Sequence, residues 1–471
     1  MKFSSVLFSS AALLATGVAA QAADLPSKKA APVEYVRVCS TFGAGFFYIP
    51  GTDTCIRVGG RARFEYQYNQ PYERANNLTG SRAVGRMFLD ARTATEYGLL
   101  RAYVRYELHR RIGTLSSGTT NRIGQGFAGT STDFTAAQTG VYLDRAFIQF
   151  GGLTAGRTQS AFEFYAGDLE FNGVTAGSSL GPTNLLSYTA SFGGGFSATL
   201  SIEDGVERRE AISDLTAGGF GAPAGGFGYA GYSGNSAPDV VAALNLTQGW
   251  GSAQLSGALH QIRMAGPAAT GGYAPSTEYG FAVNAGVKIN LPMLAAGDAL
   301  YLQGTYAKGA STYVTSNAFG FGKALWGVGA FGGSAPDAVV VANGGAGNLE
   351  LTTQWGLTAA MLHYWAPTVR QGLFASYVKT DFSNAASNAG AKYAPGIAAN
   401  FNGNTFRDWD YYAIGTNLIW SPVKDLDIGV EVEYVRASGS YTLTQFKSDP
   451  TGKLVNKDDQ IISRIRIQRD F

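Results

Sequence analysis

Apolar and polar residues alternate one for one along many short stretches of this chain, and the first stretch is the clearest. From Cys55 it reads CIRVGGRARFEYQYN: Ile56, Val58, Ala62, Phe64, Tyr66 and Tyr68 share one face, and Arg57, Arg61, Arg63, Glu65 and Gln67 share the other. Successive side chains of a strand point to opposite faces, so a period of two with one apolar side predicts a strand held between two different solvents. The pattern recurs. Leu100, Ala102, Val104, Tyr106 and Leu108 oppose Arg101, Tyr103, Arg105, Glu107 and His109. Phe196, Ala198, Leu200 and Ile202 oppose Ser197, Thr199, Ser201 and Glu203. Phe281, Val283, Ala285, Val287 and Ile289 oppose Asn284, Lys288 and Asn290, and Leu426, Ile428, Val430, Val432 and Tyr434 oppose Asp427, Glu431 and Glu433.

Such runs predict about sixteen strands, most of them near the ten residues that a tilted strand needs to cross a bilayer and the fifth one short. They fall near 55–68, 84–95, 98–109, 141–150, 153–158, 184–192, 196–204 and 239–247 in the first half. The second half adds 252–261, 279–291, 299–307, 352–364, 371–380, 410–420, 426–435 and 461–471. The connections sort themselves. Short ones such as Glu96-Tyr97, Gly151-Gly152 and Gly193-Gly194-Gly195 alternate with long polar or Gly-rich segments near 69–83, 110–140, 159–183, 205–238, 262–278, 308–351, 381–409 and 436–460. Short periplasmic turns on one side and long extracellular loops on the other predict an all-β fold: a closed antiparallel transmembrane β-barrel. Closure is a physical requirement, because hydrocarbon offers no partner to the N–H and C=O groups of an open sheet edge.

Composition agrees with this reading. The chain holds 63 Gly, its aromatic fraction is 13% and its charged fraction 15%, and the mean hydropathy is −0.02. Alternating faces cancel in any sliding average, so a barrel hides from a hydropathy scan that would find a membrane helix of roughly 20 residues. A net charge of +2 implies no polyanionic partner, and no basic patch with interleaved aromatics points to nucleic acid. Strand-end aromatics such as Tyr66, Tyr68, Tyr364, Trp365, Tyr411 and Tyr412 suit the headgroup level of a bilayer.

The N-terminus carries an export signature. Lys2, the apolar run from Val6 to Ala20 and the Ala20-Gln21-Ala22 cleavage site predict a signal peptide over 1–22. A periplasmic segment over 23–54 and a barrel over 55–471 follow. Export to an oxidising compartment predicts a disulfide between Cys39 and Cys55, closing a loop worth about 3 kcal/mol on the chain-entropy model. A metal site there lacks His partners.

Some sixteen strands leave an aqueous lumen. The inward faces of the first and third strands bring Arg57, Arg61, Arg63, Arg101 and Arg105 together, and Arg145 and Arg157 extend this basic wall. Like charges so close need an offset. The third long loop, TQSAFEFYAGDLEFNGVTAGSSLGPTN, carries Glu163, Asp168 and Glu170 among Phe162, Phe164 and Leu169. Folding inward would bury its aromatics and set its carboxylates across from the arginines, narrowing the pore and creating a transverse field.

The segment VEYVRVCSTFGAGFFYIPGTDTCIRVGGRARFEY resembles the N-terminal signature of the alphaproteobacterial general porins of Brucella and the rhizobia, RIQRDF resembles their C-terminal ending, and GGLTAGRT resembles the stretch before their third loop. The resemblance implies a sixteen-stranded homotrimer of passive pores constricted by the third loop. It also implies that Cys39 and Cys55 pair and that Arg157 through Glu170 form the constriction. The long Gly/Ala-rich fourth and sixth loops depart from that family.

Other chemistry is disfavoured. GxGxxG matches at Gly226–Gly231 and Gly327–Gly332 lack the strand and helix that a dinucleotide fingerprint requires. His109, His260 and His363 lie on separate strands without ligand spacing, so no metal is expected. The inward pair Glu431 and Glu433 could serve acid–base chemistry or calcium, but no Ser/His/Asp grouping accompanies it. No cofactor is implied, and outer-membrane lipid, lipopolysaccharide, small hydrophilic solutes and ions are the expected partners. A general diffusion porin is favoured. A solute-specific channel using Phe162, Phe164 and Tyr165 as an aromatic track comes second, and an outer-membrane enzyme or adhesin is a distant third.

Overall fold

The computed structural model describes residues 37–70, 78–115, 138–165, 167–171, 181–210, 212–213, 229–230, 232–264, 276–314, 335–343, 346–393, 408–444 and 454–471. The signal peptide, the Gly327–Gly332 match and the glycines of the Gly226–Gly231 match lie outside them. Sixteen strands close one barrel. In chain order they are β1 Cys55–Asn69, β2 Thr79–Thr95, β3 Gly98–Gly113, β4 Gln138–Phe150, β5 Leu153–Thr158, β6 Thr183–Gly193, β7 Phe196–Glu203 and β8 Asp239–Gln248. Then come β9 Gly251–Arg263, β10 Thr277–Asn290, β11 Ala299–Lys308, β12 Thr353–Ala366, β13 Val369–Asp381, β14 Trp409–Val423, β15 Leu426–Thr444 and β16 Leu454–Asp470. Each pairs antiparallel with its sequence neighbour, and β16 returns to β1 through Arg61–Asp470 to Asn69–Ile462. Phe471 completes the seam, its backbone exchanging hydrogen bonds of 2.9 and 3.1 Å with Gly60.

All sixteen strands match the expected spans, and the alternation decides which way each side chain faces. Phe64, Tyr66, Val104, Leu108, Leu200, Val283 and Val430 lie exposed on the outer surface, where hydrocarbon is the solvent. Glu65, Gln67, Glu107, Ser201, Asn284 and Glu431 are buried inside. The strands run longer than expected at the loop side: β2 starts at Thr79, β15 reaches Thr444 and β16 begins at Leu454. There the apolar half of the sequence pattern disappears while the ladder continues.

The loops carry structure of their own. In loop 4, between β7 and β8, Ile212–Ser213 pairs parallel with Ala338–Asn343 of loop 6, which joins β11 to β12. Ala338–Asn343 also pairs antiparallel with Ala346–Leu351, and Tyr229–Ala230 joins Ile212–Ser213, so loops 4 and 6 share a four-stranded sheet. A helix over Asn384–Tyr393 sits between β13 and β14. Before β1, Cys39 and Cys55 form a disulfide with Cα atoms 6.0 Å apart, buried together with Phe46.

Candidate pore constriction

The inward positions of β16 and β1–β4 form one continuous basic wall. Arg61 pairs with Asp470 at 2.5 Å, and Arg101 grips Asp90 with two bonds of 2.8 and 2.9 Å. Arg92 reaches the same carboxylate at 2.7 Å. Arg63 donates twice to Gln468, at 2.8 and 2.6 Å, and lies 3.9 Å from Glu65. Glu65 is fully buried and also meets Arg82, Arg466 at 2.6 Å and Arg464 at 3.6 Å. Arg57 lies over the Phe88 ring at 5.6 Å, and Arg145 reaches Gln159 at 3.4 Å.

A β-bulge explains one pairing that alternation alone would forbid. The β3–β4 register shifts between Arg105 and Tyr106, so Arg105 faces Arg145 and Tyr106 faces Leu143. The extra residue turns both Asp144 and Arg145 inward. Asp144 thereby pairs with Arg105. Among the described residues the arginines thus find counter-charges within their own wall, at Asp90, Asp144, Glu65, Glu107 and Asp470.

Arg157 is a second correction. Counting by twos from Leu153 and Ala155 puts it on the outer face, where it donates to the Leu143 carbonyl at 3.0 Å and pairs with the exposed Glu207 at 2.7 Å. It does not extend the lumen wall.

Loop 3 connects β5 to β6, and its described residues before 172, 159–165 and 167–171, are bonded to the inner wall across the barrel. The Phe162 carbonyl accepts from Gln254 at 3.0 Å, Ser256 at 2.9 Å and Asn284 at 3.2 Å on β9 and β10. The Tyr165 amide donates to Gln303 of β11 at 3.0 Å. Further on, Asn417 of β14 donates to the Leu169 carbonyl at 2.6 Å, and the Phe171 amide donates to Glu431 of β15 at 2.6 Å. Arg464 and Arg466 of β16 close on the Phe171 carbonyl at 2.6 and 2.8 Å. Two glycines make room. A Cβ at Gly286 would come within 2.2 Å of the Phe164 ring, and one at Gly429 within 2.6 Å of the Phe171 ring. Phe162 and Tyr165 are buried, so they form no exposed aromatic track.

The three loop carboxylates have different fates. Asp168 is exposed, Glu170 is buried, and Glu163 is buried in an ion pair with Arg208 of loop 4 at 3.1 Å. Arg208 stands 4.0 Å from Glu203 and over the Tyr313 ring of loop 6 at 4.7 Å. Burial alone would pull its guanidinium down, but Tyr313, Glu163 and Glu203 around it raise it above the ordinary value. Tyr313 donates to Asp239 at 2.7 Å, and His260 meets the same carboxylate at 2.8 Å. Asp337 of loop 6 accepts from the hydroxyl of Tyr232 at 2.6 Å and the amides of Glu210 and Ser311 at 2.7 and 2.8 Å. Sequence reasoning missed Arg208, Tyr313 and Asp337, which lie in loops without a period. His260 was legible only as an inward residue of β9.

A family model described as "Porin subfamily" matches residues 24–464. The chain belongs to this porin family. Porin Omp2b of Brucella suis is 33% identical over 259 residues, 54% of this chain and 64% of that protein. Porin Omp2b of Brucella abortus (strain 2308) is 33% identical over 258 residues, with the same coverage. The match therefore spans just under two thirds of the length of these relatives. Among solved structures, the outer membrane channel DcaP of Acinetobacter baumannii has the same fold, with a TM-score of 0.55 at 15% identity over 90% of this chain and 99% of that chain. The porin is a β-barrel of the bacterial outer membrane.

Proposed function

We propose that this porin is a water-filled passive diffusion channel for small hydrophilic solutes and ions, and that loop 3 narrows it opposite an arginine-rich wall. The observation that carries the reading is the bonding of residues 159–165 and 167–171 to β9–β11 and to β14–β16, which leaves β1–β4 as the facing wall. A polar lumen lining needs water, because inward side chains such as Arg57 and Arg145 carry no ion pair among the described residues. Residues 1–22 are read as the export signal and 23–54 as a periplasmic segment. By family likeness the assembly is read as a homotrimer in lipid and lipopolysaccharide.

The lumen charge sets the ion preference in this reading. Arg57, Arg61, Arg63, Arg101, Arg105 and Arg145 all face inward, whereas of the three loop carboxylates only Asp168 is exposed. Planar-bilayer recording is the test. Stepwise openings in simple salt are expected, with a reversal potential that favours anions. Neutralising Arg63 and Arg145 to Gln should move that potential toward cations. A folded protein that gives no conductance would end the channel reading.

One observation favours a solute-specific channel. The Phe88, Tyr103 and Phe147 rings stack along β2–β4 at 5.9 and 5.3 Å, and Arg101 lies 5.0 Å from Tyr103 and 5.2 Å from Phe147. Such a strip suits planar anions. Conductance that saturates with an aromatic carboxylate, and not with chloride, would select this reading.

A further inference from the structure

We propose that Arg208 is a positioning residue that clamps the constriction loop from above, so that the aperture depends on loops 4 and 6 as well as on the barrel wall. The inference rests on the channel reading for its conductance arm only. Loop 3 has two kinds of attachment. Towards the barrel it is held by neutral side chains of β9–β11 and by β14–β16. Towards the loops, among the described residues, it is held by the Arg208 guanidinium, which is 1% exposed and bonded to Glu163 at 3.1 Å.

The clamp is built from both neighbouring loops. Arg208 ends a 3-10 turn over Gly205–Arg208 that is capped by Asp204, whose carboxylate accepts from the Val206 amide at 2.9 Å. Thr312 of loop 6 donates its hydroxyl to the Arg208 carbonyl, and the Tyr313 ring covers the guanidinium. Tyr313 in turn packs edge-on against Phe162 of loop 3 at 4.7 Å and donates to Asp239 at the start of β8. Loop 3 is therefore gripped at adjacent residues, Phe162 by loop 6 and Glu163 by loop 4. A buried cation that loses its partner is costly, so the pair holds in register or opens together. The unusual length of loops 4 and 6 acquires a purpose in this arrangement.

The test uses the full chain, folded and reconstituted. Both native cysteines are in the disulfide, so Ser160→Cys adds a single free thiol beside the clamp, at a position 3% exposed. Its reaction with a small water-soluble methanethiosulfonate reads access to loop 3 without any current. Arg208→Gln should speed that labelling by about tenfold, the mark of local opening, and Glu163→Gln should do the same. The Glu163→Gln/Arg208→Gln double variant, in which Glu203 is the one carboxylate of the Arg208 pocket that remains, should match either single change, and Arg208→Lys should restore most of the protection. In bilayers the single variants should show noisier openings and a larger conductance. Wild-type labelling rates in the Arg208→Gln protein, or in the double variant should the single one fail to fold, would overturn the clamp. Silent wild-type channels with the labelling pattern intact would sink the channel reading and leave the clamp standing.

Discussion

Glu65→Gln removes the negative centre of the β16–β1–β2 wall. The Glu65 carboxylate lies 2.6 Å from Arg466, 3.6 Å from Arg464 and 3.9 Å from Arg63, and it also contacts Arg82. At an effective dielectric near 20 each measured contact contributes roughly 4–6 kcal/mol of gross attraction, and desolvating the buried carboxylate cancels several kcal/mol of the sum. Glutamine keeps the volume and one acceptor but leaves the arginines facing one another. The expected loss is about 3–5 kcal/mol, as for a buried cluster deprived of one partner. Urea titration of refolding into lipid vesicles measures it. The damage should reach loop 3, because Arg464 and Arg466 also hold the Phe171 carbonyl. Adding Arg82→Gln should recover part of the loss, since it relieves the repulsion that the first change exposes. A loss below about 1 kcal/mol, the range of exposed ion pairs, would mean that lumen water screens the cluster and that its burial is irrelevant.

Two further changes probe separate parts of the molecule. Replacing Cys39 and Cys55 by Ala should release the segment before β1, at a cost of about 3 kcal/mol for a 16-residue loop, and protease should then cut within 40–54 while the barrel stays intact. Gly286→Val should push the Phe164 ring off β10, where even a Cβ would sit 2.2 Å from it. Single-channel conductance should change while the melting behaviour of the barrel shifts little; an unaltered conductance would place Phe164 outside the constriction.

The strands were legible because two solvents impose a period of two, and even the short Leu153–Thr158 strand was placed correctly. Boundaries failed chiefly at the loop ends of strands, as at Leu454–Gln460, where LVNKDDQ breaks the apolar alternation. The arginine wall was visible in the same alternation, together with Glu65 and Glu107, yet the pairings of its other counter-charges were not. Asp144 became a partner of Arg105 only through a bulge, and Asp470 reached Arg61 only through barrel closure. Arg157 could have been placed outside by counting from Leu153. Arg208 could not have been found by counting, because its burial comes from loop packing that leaves no periodic trace.

The β1–β16 seam has a consequence for the order of events during folding. Arg61 and Asp470 meet across 409 positions of sequence, while every other barrel pair joins consecutive strands. Closing so long a loop costs about 3 kcal/mol more entropy than closing a ten-residue hairpin. The consecutive hairpins can zip first, and the seam forms last, when both of its strands are already positioned. Until that moment two bare edges coexist, each able to recruit a foreign strand. The seam answers with unlike side-chain partners in strict register: Arg61 with Asp470, Arg63 with Gln468 and Arg464 with Gln67. A slip of two residues would set Arg61 against Gln468 and Arg63 against Arg466, so the wall that borders the lumen also proofreads the closure.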